Sequence, residues 1–399
     1  MTPERAVIVG ASHAGAQLAA NLRREGWSGE VVLIGDEGGL PYHRPPLSKG
    51  YLAGKNGLDD LLIRGADFYT KQNIQLTNAT VEAINRTAKH VSLNTGDTLA
   101  YTKLALCTGA RARRLPTPGV DLPGIHYLRT AADVELIRAA ATPGRRVVIV
   151  GGGYIGLETA ASLCSLGMNV TVLEATERVL ERVTAPEVSA FYTRIHNGEG
   201  VEIRTHALVE AFSGNGRVQE VVLAGGEPIP ADLVIVGVGV VPNTELASAA
   251  GLSVDNGIVI DDQARTSDPD IVAAGDCTSH TMARYGSRIR LESVSSAGEQ
   301  AKIAAATICG KHSAIAALPW FWSDQYDLKL QIAGLNTGYD EVLLSGDPSR
   351  DRDFSCFYFR EGELIAADCV NRPRDFMSSK RAISQQLRVD RSELLAGSI

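Results

Sequence analysis

Two glycine-rich turns in this chain carry residue types and spacings that suit the binding of a dinucleotide pyrophosphate. The first turn closes an apolar run and covers Val7 to Gly15, and the second covers Val147 to Gly156. At such turns, backbone N–H groups and the start of a helix approach the two phosphates. Two turns in one chain indicate two nucleotide cofactors bound together. The chemistry to expect is therefore electron or hydride transfer between them.

Each turn is followed by a second apolar run that ends in an acid, which could accept hydrogen bonds from an adenosine ribose. Asp36 and Glu37 hold this place after the first turn, and Glu174 lies 21 residues beyond Gly153. A carboxylate at position 174 repels the additional phosphate of NADP(H), and no arginine follows it before Arg178. We therefore expect NAD(H) at the second turn.

The first turn departs from the usual pattern at its middle position, where Ser12 replaces glycine. Serine is small, so we expect slightly altered geometry and no loss of binding. His13 beside it could be catalytic, but a loop histidine next to the phosphates is the simpler interpretation.

The composition is that of a soluble globular protein long enough for two or three domains. Hydrophobic residues make up 44% and charged residues 21% of the 399 positions, and the net charge is -7. An acidic chain argues against general binding to nucleic acid or anionic membranes. We find no signal segment and no apolar stretch long enough to span a bilayer, so we expect a cytoplasmic protein without nucleic-acid or membrane partners.

The six cysteines, at positions 107, 164, 277, 309, 356 and 369, form no close pair. Their spacing matches neither a redox dithiol nor a zinc site. We expect reduced, mostly buried thiols and no metal.

Strand-like and helix-like stretches alternate from the start, which predicts the α/β fold class with parallel sheets. Each glycine-rich turn lies between a strand and a helix, so we expect two Rossmann-like dinucleotide-binding domains. An antiparallel segment is expected over 79–100, and a helix over about 297–308 is assigned to the first domain. From Pro319 the pattern changes to short strands, a hairpin turn at Glu361-Gly362 and a helix near 376–387, which predicts a small C-terminal α+β domain.

Further motifs extend over most of the chain: Arg44–Lys49 (RPPLSK), Leu128–Thr130 (LRT), Gly275–Cys277 (GDC), Glu292–Val294 (ESV) and Pro319–Gln325 (PWFWSDQ). With the two turns, they make the chain resemble the FAD-dependent, NADH-using ferredoxin reductases of bacterial oxygenase systems. The resemblance is strongest to the putidaredoxin-reductase-like group, which supplies haem monooxygenases.

The resemblance implies a fold like that of glutathione reductase. The FAD-binding domain is then discontinuous, with residues 1–112 and 244–319. Residues 113–243 form the inserted NAD-binding domain, and residues 320–399 form the C-terminal α+β domain.

The resemblance also implies which residues bind the cofactors. On the FAD side these are Gly10, Ser12, His13, Ala14, Gly15, Asp36, Glu37, Arg44, Lys49, Val81, Thr108, Gly109, Arg129, Asp276, Val294 and Trp322. Asp276 would hold the ribityl chain, with a helix N-cap as the alternative role. On the NAD(H) side they are Gly151, Gly153, Tyr154, Ile155, Gly156, Glu174 and Gly239.

Three residues are candidates for a catalytic role. Lys49 could place positive charge beside the reduced flavin, and Glu158 resembles the carboxylate that pairs with that lysine in the family. Complementing the helix dipole is the alternative for Glu158. Trp320 and Trp322 share one face of a predicted strand. We assign Trp322 to the flavin, with ordinary core aromatics as the alternative.

The partner that the resemblance implies is a 2Fe–2S ferredoxin, bound transiently by electrostatics. Ferredoxins are usually acidic, so a local basic face is needed on this acidic chain. The candidates, which could equally be scattered solvated charges, are Arg64, Arg288, Arg290, Lys329, Arg372 and Arg374.

Hydride transfer depends on positioning more than on acid–base groups. The region around Leu40–Pro45 contains no cysteine, unlike the oxygen-reducing relatives, so we expect electrons to leave the flavin directly. The alternatives are a rubredoxin reductase or NADH oxidase of the same fold, or a redox-sensing interaction flavoprotein resembling apoptosis-inducing factor. We expect a monomer.

Overall fold

This computed structural model describes residues 4–396. The strands in chain order are β1 (Arg5–Val9), β2 (Glu30–Gly35), β3 (Ile74–Asn78), β4 (Val81–Asn85), β5 (His90–Leu93), β6 (Thr98–Ala100), β7 (Lys103–Leu106), β8 (Ala110–Ala112), β9 (Ile125–Tyr127), β10 (Arg146–Val150), β11 (Asn169–Leu173), β12 (Glu202–Arg204), β13 (Val209–Ser213), β14 (Glu220–Leu223), β15 (Ile229–Pro230), β16 (Leu233–Val236), β17 (Val240–Pro242), β18 (Ile258–Val259), β19 (Ile271–Ala273), β20 (Thr278–Met282), β21 (Ser287–Ile289), β22 (Trp320–Gln325), β23 (Leu328–Gly334), β24 (Glu341–Ser345), β25 (Phe354–Arg360) and β26 (Glu363–Val370).

The α-helices are α1 (His13–Glu25), α2 (Ala66–Lys71), α3 (Ala131–Ala140), α4 (Tyr154–Ser165), α5 (Pro186–Gly198), α6 (Glu245–Ala249), α7 (Val294–Ile308), α8 (Pro373–Gln385) and α9 (Arg391–Ala396). Short 3₁₀ helices cover Pro45–Ser48, Asp59–Leu61 and Ala283–Tyr285. Within residues 4–396 we find no helix that combines the length and the apolar character needed to cross a bilayer.

The chain divides into two compact units. Unit 1 consists of the residues up to His43 together with 59–111 and 241–319, and unit 2 consists of 44–58, 112–240 and the residues from Trp320 onward.

Unit 1 is built on a five-stranded parallel sheet in the order β19-β7-β1-β2-β3. Strands β19, β7, β1 and β2 are apolar and mostly buried, as parallel strands covered by helices must be, whereas the edge strand β3 is largely exposed. Helices α1 and α7 pack against each other. Helix α7 is the helix expected over about 297–308, and it lies in the same unit as the first glycine-rich turn, as predicted. The segment predicted to be antiparallel forms the separate sheet β4-β5-β6.

Unit 2 contains a second parallel sheet in the order β12-β11-β10-β16-β9. The order and connections of its central strands repeat those of unit 1, since the strand before the turn lies between its successor and a later strand. A small antiparallel sheet, β13-β14-β15, packs into the same core.

The C-terminal part of unit 2 is an antiparallel sheet in the order β22-β23-β26-β25-β24, against which α8 packs. Glu361 and Gly362 both have positive φ, 52° and 80°, as a two-residue hairpin turn requires. Helix α8 begins earlier than predicted because Pro373 can occupy its first turn. It ends before Gln386, whose φ of 52° is left-handed. The α/β fold with two dinucleotide-binding units and a C-terminal α+β part is confirmed.

Candidate functional site

The first glycine-rich turn of unit 1 is shaped by backbone crowding. Gly10 has φ of 109°, and a Cβ there would lie 2.0 Å from the carbonyl oxygen of Cys107. A Cβ at Gly15 would lie 1.9 Å from the carbonyl oxygen of Gly10. Both glycines are therefore required for β1 to turn into α1. The start of that helix, with Ser12 at its N-cap in extended conformation, is the element that can receive a phosphate.

Several other predicted residues surround this turn within unit 1. A Cβ at Gly275 would lie 3.0 Å from the Cβ of Ala14, so the Gly275-Asp276 corner adjoins the start of α1. Asp276 is followed by strand β20 and not by a helix. The N-cap alternative for Asp276 is therefore wrong, and the ribityl assignment stays a prediction. Val294 is the first residue of α7, which packs on α1.

The acids that follow β2 differ in their contacts. The carboxylate of Glu37 accepts a hydrogen bond from the hydroxyl of Tyr42, and Asp36 is exposed. Exposure leaves Asp36 open to a ligand, as a ribose-binding carboxylate must be.

The remaining unit 1 residues lie at strand ends. Val81 begins β4 and is buried. Thr108 Oγ1 donates to the carbonyl oxygen of Asn243 at 2.6 Å, and the Asn243 backbone N–H donates to the carbonyl oxygen of Gly109 at 2.9 Å. These bonds hold the end of β7 in place. His13 Nε2 lies 3.0 Å from His43 Nδ1.

The second turn, in unit 2, is crowded in the same way but leaves one side open. A Cβ at Gly151 would lie 2.4 Å from the carbonyl oxygen of Gly237, and one at Gly156 would lie 2.1 Å from that of Gly151. By contrast, apart from the adjoining backbone, no atom of residues 4–396 lies within 4 Å of a Cβ built at Gly153 or at Gly239. The backbone at Gly153, the N-cap of α4, therefore faces open space where a pyrophosphate can approach. The turn fits a dinucleotide.

Glu174 is held against this turn. Its Oε2 accepts from the backbone N–H of Gly152 at 2.8 Å, and its Oε1 accepts from the backbone N–H and the hydroxyl of Thr176 at 3.0 Å. Arg178 is engaged elsewhere, since it donates to the hydroxyl of Ser189 and the carbonyl oxygen of Glu181. The carboxylate is thus placed for a ribose hydroxyl, and the nearest arginine in sequence is occupied.

The other residues of the second turn have different environments. Ile155 is 44% exposed, whereas the hydroxyl of Tyr154 is buried and has no hydrogen-bond partner among residues 4–396. The ring of Tyr154 packs on Phe321 with centroids 5.0 Å apart. Burial raises the pKa of the Tyr154 hydroxyl well above its usual value.

A buried ion pair joins Lys49 to Glu158 in unit 2. Glu158 Oε2 accepts from Lys49 Nζ at 2.6 Å and from Ser48 Oγ at 2.5 Å, while Oε1 accepts from Ser323 Oγ at 2.6 Å. Glu158 is only 1% exposed. It lies beyond the first turn of α4, so complementing the helix dipole does not explain it. Sequence reasoning found the pair but missed the two serines, although both lie in motifs it had noted.

Arg44, Arg129 and the two tryptophans also belong to unit 2. Arg44 Nη1 donates to the carbonyl oxygen of Arg129 at 2.8 Å, which links the RPPLSK and LRT motifs. Trp320 and Trp322 lie on one face of β22 with stacked rings 5.6 Å apart, as predicted. Lys380 Nζ lies 4.7 Å from the ring centroid of Trp320, so Trp320 is partly covered by α8. The assignment of Trp322 to the flavin stays a prediction.

Four of the candidate basic residues have a polar partner. Arg288 pairs with Asp255, Arg290 with Glu292 and Arg372 with Asp353, while Arg64 donates to Gln17. The side chains of Lys329 and Arg374 are exposed.

All six cysteines are free thiols. Four are buried, namely Cys107, Cys277, Cys356 and Cys369, and burial raises the pKa of each of these thiols. High pKa values make poor nucleophiles at neutral pH.

Comparison with known proteins agrees with this geometry. Residues 4–301 match the family described as pyridine nucleotide-disulphide oxidoreductase, and residues 320–398 match the family described as reductase C-terminal. Putidaredoxin reductase CamA of Pseudomonas putida is 47% identical over 394 residues, which cover 97% of this chain and 93% of that protein. The ferredoxin–NAD(P)+ reductase of a Sphingomonas species is 45% identical over 389 residues, covering 96% and 94%.

Among solved structures, the covalent putidaredoxin reductase–putidaredoxin complex matches with a TM-score of 0.95 and 45% identity, covering 99% of both chains. The identity and coverage far exceed what a shared fold alone would give. The chain therefore belongs to the pyridine nucleotide-disulphide oxidoreductase family, in its ferredoxin reductase branch, and is a flavoprotein oxidoreductase that uses FAD and a pyridine nucleotide.

Proposed function

We propose that this protein is a cytoplasmic NADH-dependent ferredoxin reductase. It would accept a hydride equivalent from NADH and deliver single electrons to a 2Fe–2S ferredoxin that feeds an oxygenase, here a cytochrome-type haem monooxygenase. The observation that carries the proposal is the presence of two dinucleotide-binding turns, one in each unit, of which the second has its own ribose-facing acid. Relatives at 47% and 45% identity are named as reductases of putidaredoxin and ferredoxin.

The two turns suggest which domain binds which cofactor. We assign FAD to the discontinuous domain of residues 1–112 and 244–319, and NADH to residues 113–243. Residues 320–399 would supply the tryptophan pair on β22. The flavin, when bound, supplies the conversion of one two-electron donor into two one-electron transfers.

The protein's own residues bind, orient and adjust charge. The start of α1 and the start of α4 each offer backbone N–H groups to one pyrophosphate. Glu174 would accept from the ribose hydroxyls of NADH and reject a phosphate in their place. Lys49 would hold positive charge where negative charge develops on reduction, with Glu158 fixing the position of its ammonium group.

The sequence supports direct release of electrons. No cysteine lies between Gly10 and Cys107, so this part of the chain supplies no thiol for a disulphide step. Disulphide reduction, which the family's name mentions, is therefore not expected here.

The experiment that tests the proposal is anaerobic mixing of the NADH-reduced protein with candidate electron carriers. Two anaerobic arms contain a 2Fe–2S ferredoxin or a rubredoxin, and a third arm, without a carrier, mixes the reduced protein with oxygenated buffer. We expect rapid bleaching of the iron–sulfur absorbance and slow turnover with the other two acceptors. Faster reduction of rubredoxin or of oxygen would assign the protein to one of those activities instead. Slow reduction of every carrier, with dimerisation on addition of NADH, would indicate a redox-sensing role.

A further inference from the structure

A series of hydrogen bonds, most of them buried, leads through unit 2 from Glu158 to the partly buried Tyr326. Ser323 Oγ lies 2.6 Å from Glu158 Oε1 and 3.1 Å from Gln325 Nε2. Gln325 Oε1 lies 2.8 Å from His196 Nε2, and His196 Nδ1 lies 3.1 Å from the hydroxyl of Tyr326. We call these five residues the buried network. Glu158, Ser323, Gln325 and His196 are each at most 1% exposed.

The PWFWSDQ motif explains how the network is built. Residues alternate between the two faces of β22, so the face opposite Trp320 and Trp322 presents Ser323 and Gln325. Tyr326 follows in the turn to β23 with φ of 56°, a left-handed conformation that is unusual for a bulky residue. Its ring packs edge-on against His196, with centroids 5.1 Å apart. The strand and the turn after it thus supply three of the five members of the network.

The charge on Glu158 determines every donor in the network. An ammonium group only donates and a carboxylate only accepts, so the single hydroxyl hydrogen of Ser323 points to Glu158. Ser323 must then accept from the amide nitrogen of Gln325, and the amide oxygen faces His196. His196 therefore carries its hydrogen on Nε2, and its Nδ1 accepts from the hydroxyl of Tyr326.

His196 is suited to this arrangement because it stays neutral. Burial lowers the pKa of its imidazole to about 4, so at neutral pH the ring has one N–H and one acceptor nitrogen. No second donor is available to disturb the order of the bonds.

The reversed order has a different consequence. With the hydrogen of His196 on Nδ1, Gln325 would turn its amide nitrogen toward His196 and its oxygen toward Ser323. Ser323 would then face two acceptors with its single hydroxyl hydrogen, so it could not donate to both Gln325 and Glu158 Oε1. One of these two bonds would be lost, and loss of the bond to Glu158 would loosen the carboxylate that holds Lys49.

We propose that His196 is a positioning residue for flavin reduction: its Nε2–H tautomer, which donates to Gln325, keeps Ser323 donating to Glu158 and so keeps Glu158 in place as the partner of Lys49. The link to flavin reduction rests on the proposed function, in which Lys49 lies beside the flavin. The tautomer of His196 does not depend on the proposed function. The tautomer and its effect on flavin reduction can therefore be disproved separately.

The first test reads the tautomer in the oxidised holoenzyme. Histidine-selective ¹⁵N labelling and long-range ¹H–¹⁵N correlation spectra distinguish Nε2–H, Nδ1–H and imidazolium rings, and the spectrum of H196Q assigns the signal. We expect the neutral Nε2–H form from about pH 6 to about pH 8. An unperturbed histidine, with a pKa of about 6.5, would titrate in this range. An Nδ1–H ring or an imidazolium in that range would overturn the proposal, whatever the protein reduces.

The second test removes the donor at the far end with Tyr326→Phe, which keeps the ring. The control is Tyr192→Phe, the same change in the helix that carries His196, at a hydroxyl without a partner among residues 4–396. We expect Y326F to keep the Nε2–H signal, because Gln325 still accepts from Nε2, and to keep stopped-flow flavin reduction by NADH within about threefold of the parent rate. An Nδ1–H ring in Y326F would mean that Tyr326, and not the bond to Gln325, sets the tautomer, and would overturn the proposal. Y192F should change neither the signal nor the rate.

The third test asks whether the donor at position 196 is what matters. In H196Q the amide nitrogen can still donate to Gln325, whereas H196L offers no donor. We expect H196Q to keep the rate of flavin reduction within about threefold and H196L to lose about tenfold. Equal rates in H196L, H196Q and the parent, or effects on thermal stability alone, would overturn the positioning role.

Discussion

Glu158 and Glu174 lie in the same unit, yet their surroundings suit them to different tasks. Glu158 is fully buried and receives three side-chain donors, one of them the ammonium group of Lys49. Glu174 is half-buried and is held by two backbone N–H groups and one hydroxyl at the edge of an open turn. A buried and saturated carboxylate can fix a neighbouring charge, whereas a partly exposed one can recognise a ligand.

The first prediction concerns the Lys49–Glu158 pair. In Glu158→Gln one carboxylate oxygen becomes an amide nitrogen, so a donor replaces an acceptor beside Lys49 or Ser323. Breaking a buried ion pair costs about 3 kcal/mol in the free energy of unfolding, and we expect flavin reduction by NADH to slow as well. Urea unfolding and stopped-flow reduction measure the two effects.

The control for the pair is a double-variant cycle with Lys49→Met. If the two residues act through each other, K49M/E158Q should be less harmful than the sum of the single changes. Additive effects would contradict the pairing.

The second prediction concerns nucleotide preference. Glu174→Gln keeps the shape of the side chain but removes the charge that repels a ribose phosphate, so the NADH to NADPH ratio of kcat/KM should fall about tenfold or more. Steady-state kinetics with both nucleotides measures this ratio. The control is Glu177→Gln, at an exposed acid three positions along, which should leave the ratio unchanged. Comparable kcat/KM for NADH and NADPH in the parent protein would contradict the NADH assignment itself.

At the scale of elements, alternation and turn chemistry predicted most of what the structure contains. The β1 and β10 strands, the helices after them and the hairpin at Glu361-Gly362 follow from local signals. The burial of one face of β22 could not be predicted from local signals, because Ser323 and Gln325 are polar and their burial depends on partners in α4 and α5. Local sequence contains no sign of those distant partners, so the network could be found only in three dimensions.

The third prediction concerns strands β25 and β26, where Asp368 is buried and its Oδ2 accepts from the hydroxyl of Tyr358 at 2.5 Å. Burial raises the pKa of Asp368 to about 7, against about 3.9 in an unfolded chain. The native state therefore binds more protons than the unfolded state between these values. The contribution of Asp368 to the free energy of unfolding is therefore complete below about pH 4 and is lost as the pH rises through about 7.

Asp368→Asn tests the direction of this pH dependence, because asparagine can accept a hydrogen bond from Tyr358 and does not titrate. Relative to the parent, D368N should gain stability between about pH 4 and about pH 8, by up to about 4 kcal/mol in the free energy of unfolding. Urea unfolding at several pH values measures the difference. The control is Asp67→Asn, at a carboxylate that is 90% exposed, for which we expect little change. A constant difference between D368N and the parent would contradict the raised pKa.

For the whole molecule, the net charge of -7 opposes association with an acidic carrier. A local basic surface must then overcome the overall repulsion. Exposed Lys329 and Arg374 are close in the fold, because the backbone N–H of Lys329 donates to Asn371, just before α8, at 2.9 Å. They are candidates for such a surface.

The fourth prediction follows from screening of these charges. Salt shortens the range of electrostatic attraction to about 8 Å at physiological ionic strength, so electron transfer to the ferredoxin of the proposed function should slow as salt rises. The variants K329Q and R374Q should be slower at low salt and less sensitive to salt, mainly through the association rate. Stopped-flow rates over a salt series measure both effects.

The control is Lys71→Gln, at an exposed lysine of unit 1, which tests whether any lost positive charge has the same effect. Because the net charge alone is repulsive, a rate that rises with salt in the parent would mean that no local basic surface guides docking. Equal losses in K71Q and K329Q would mean that overall charge, and not the surface around Lys329 and Arg374, controls the encounter.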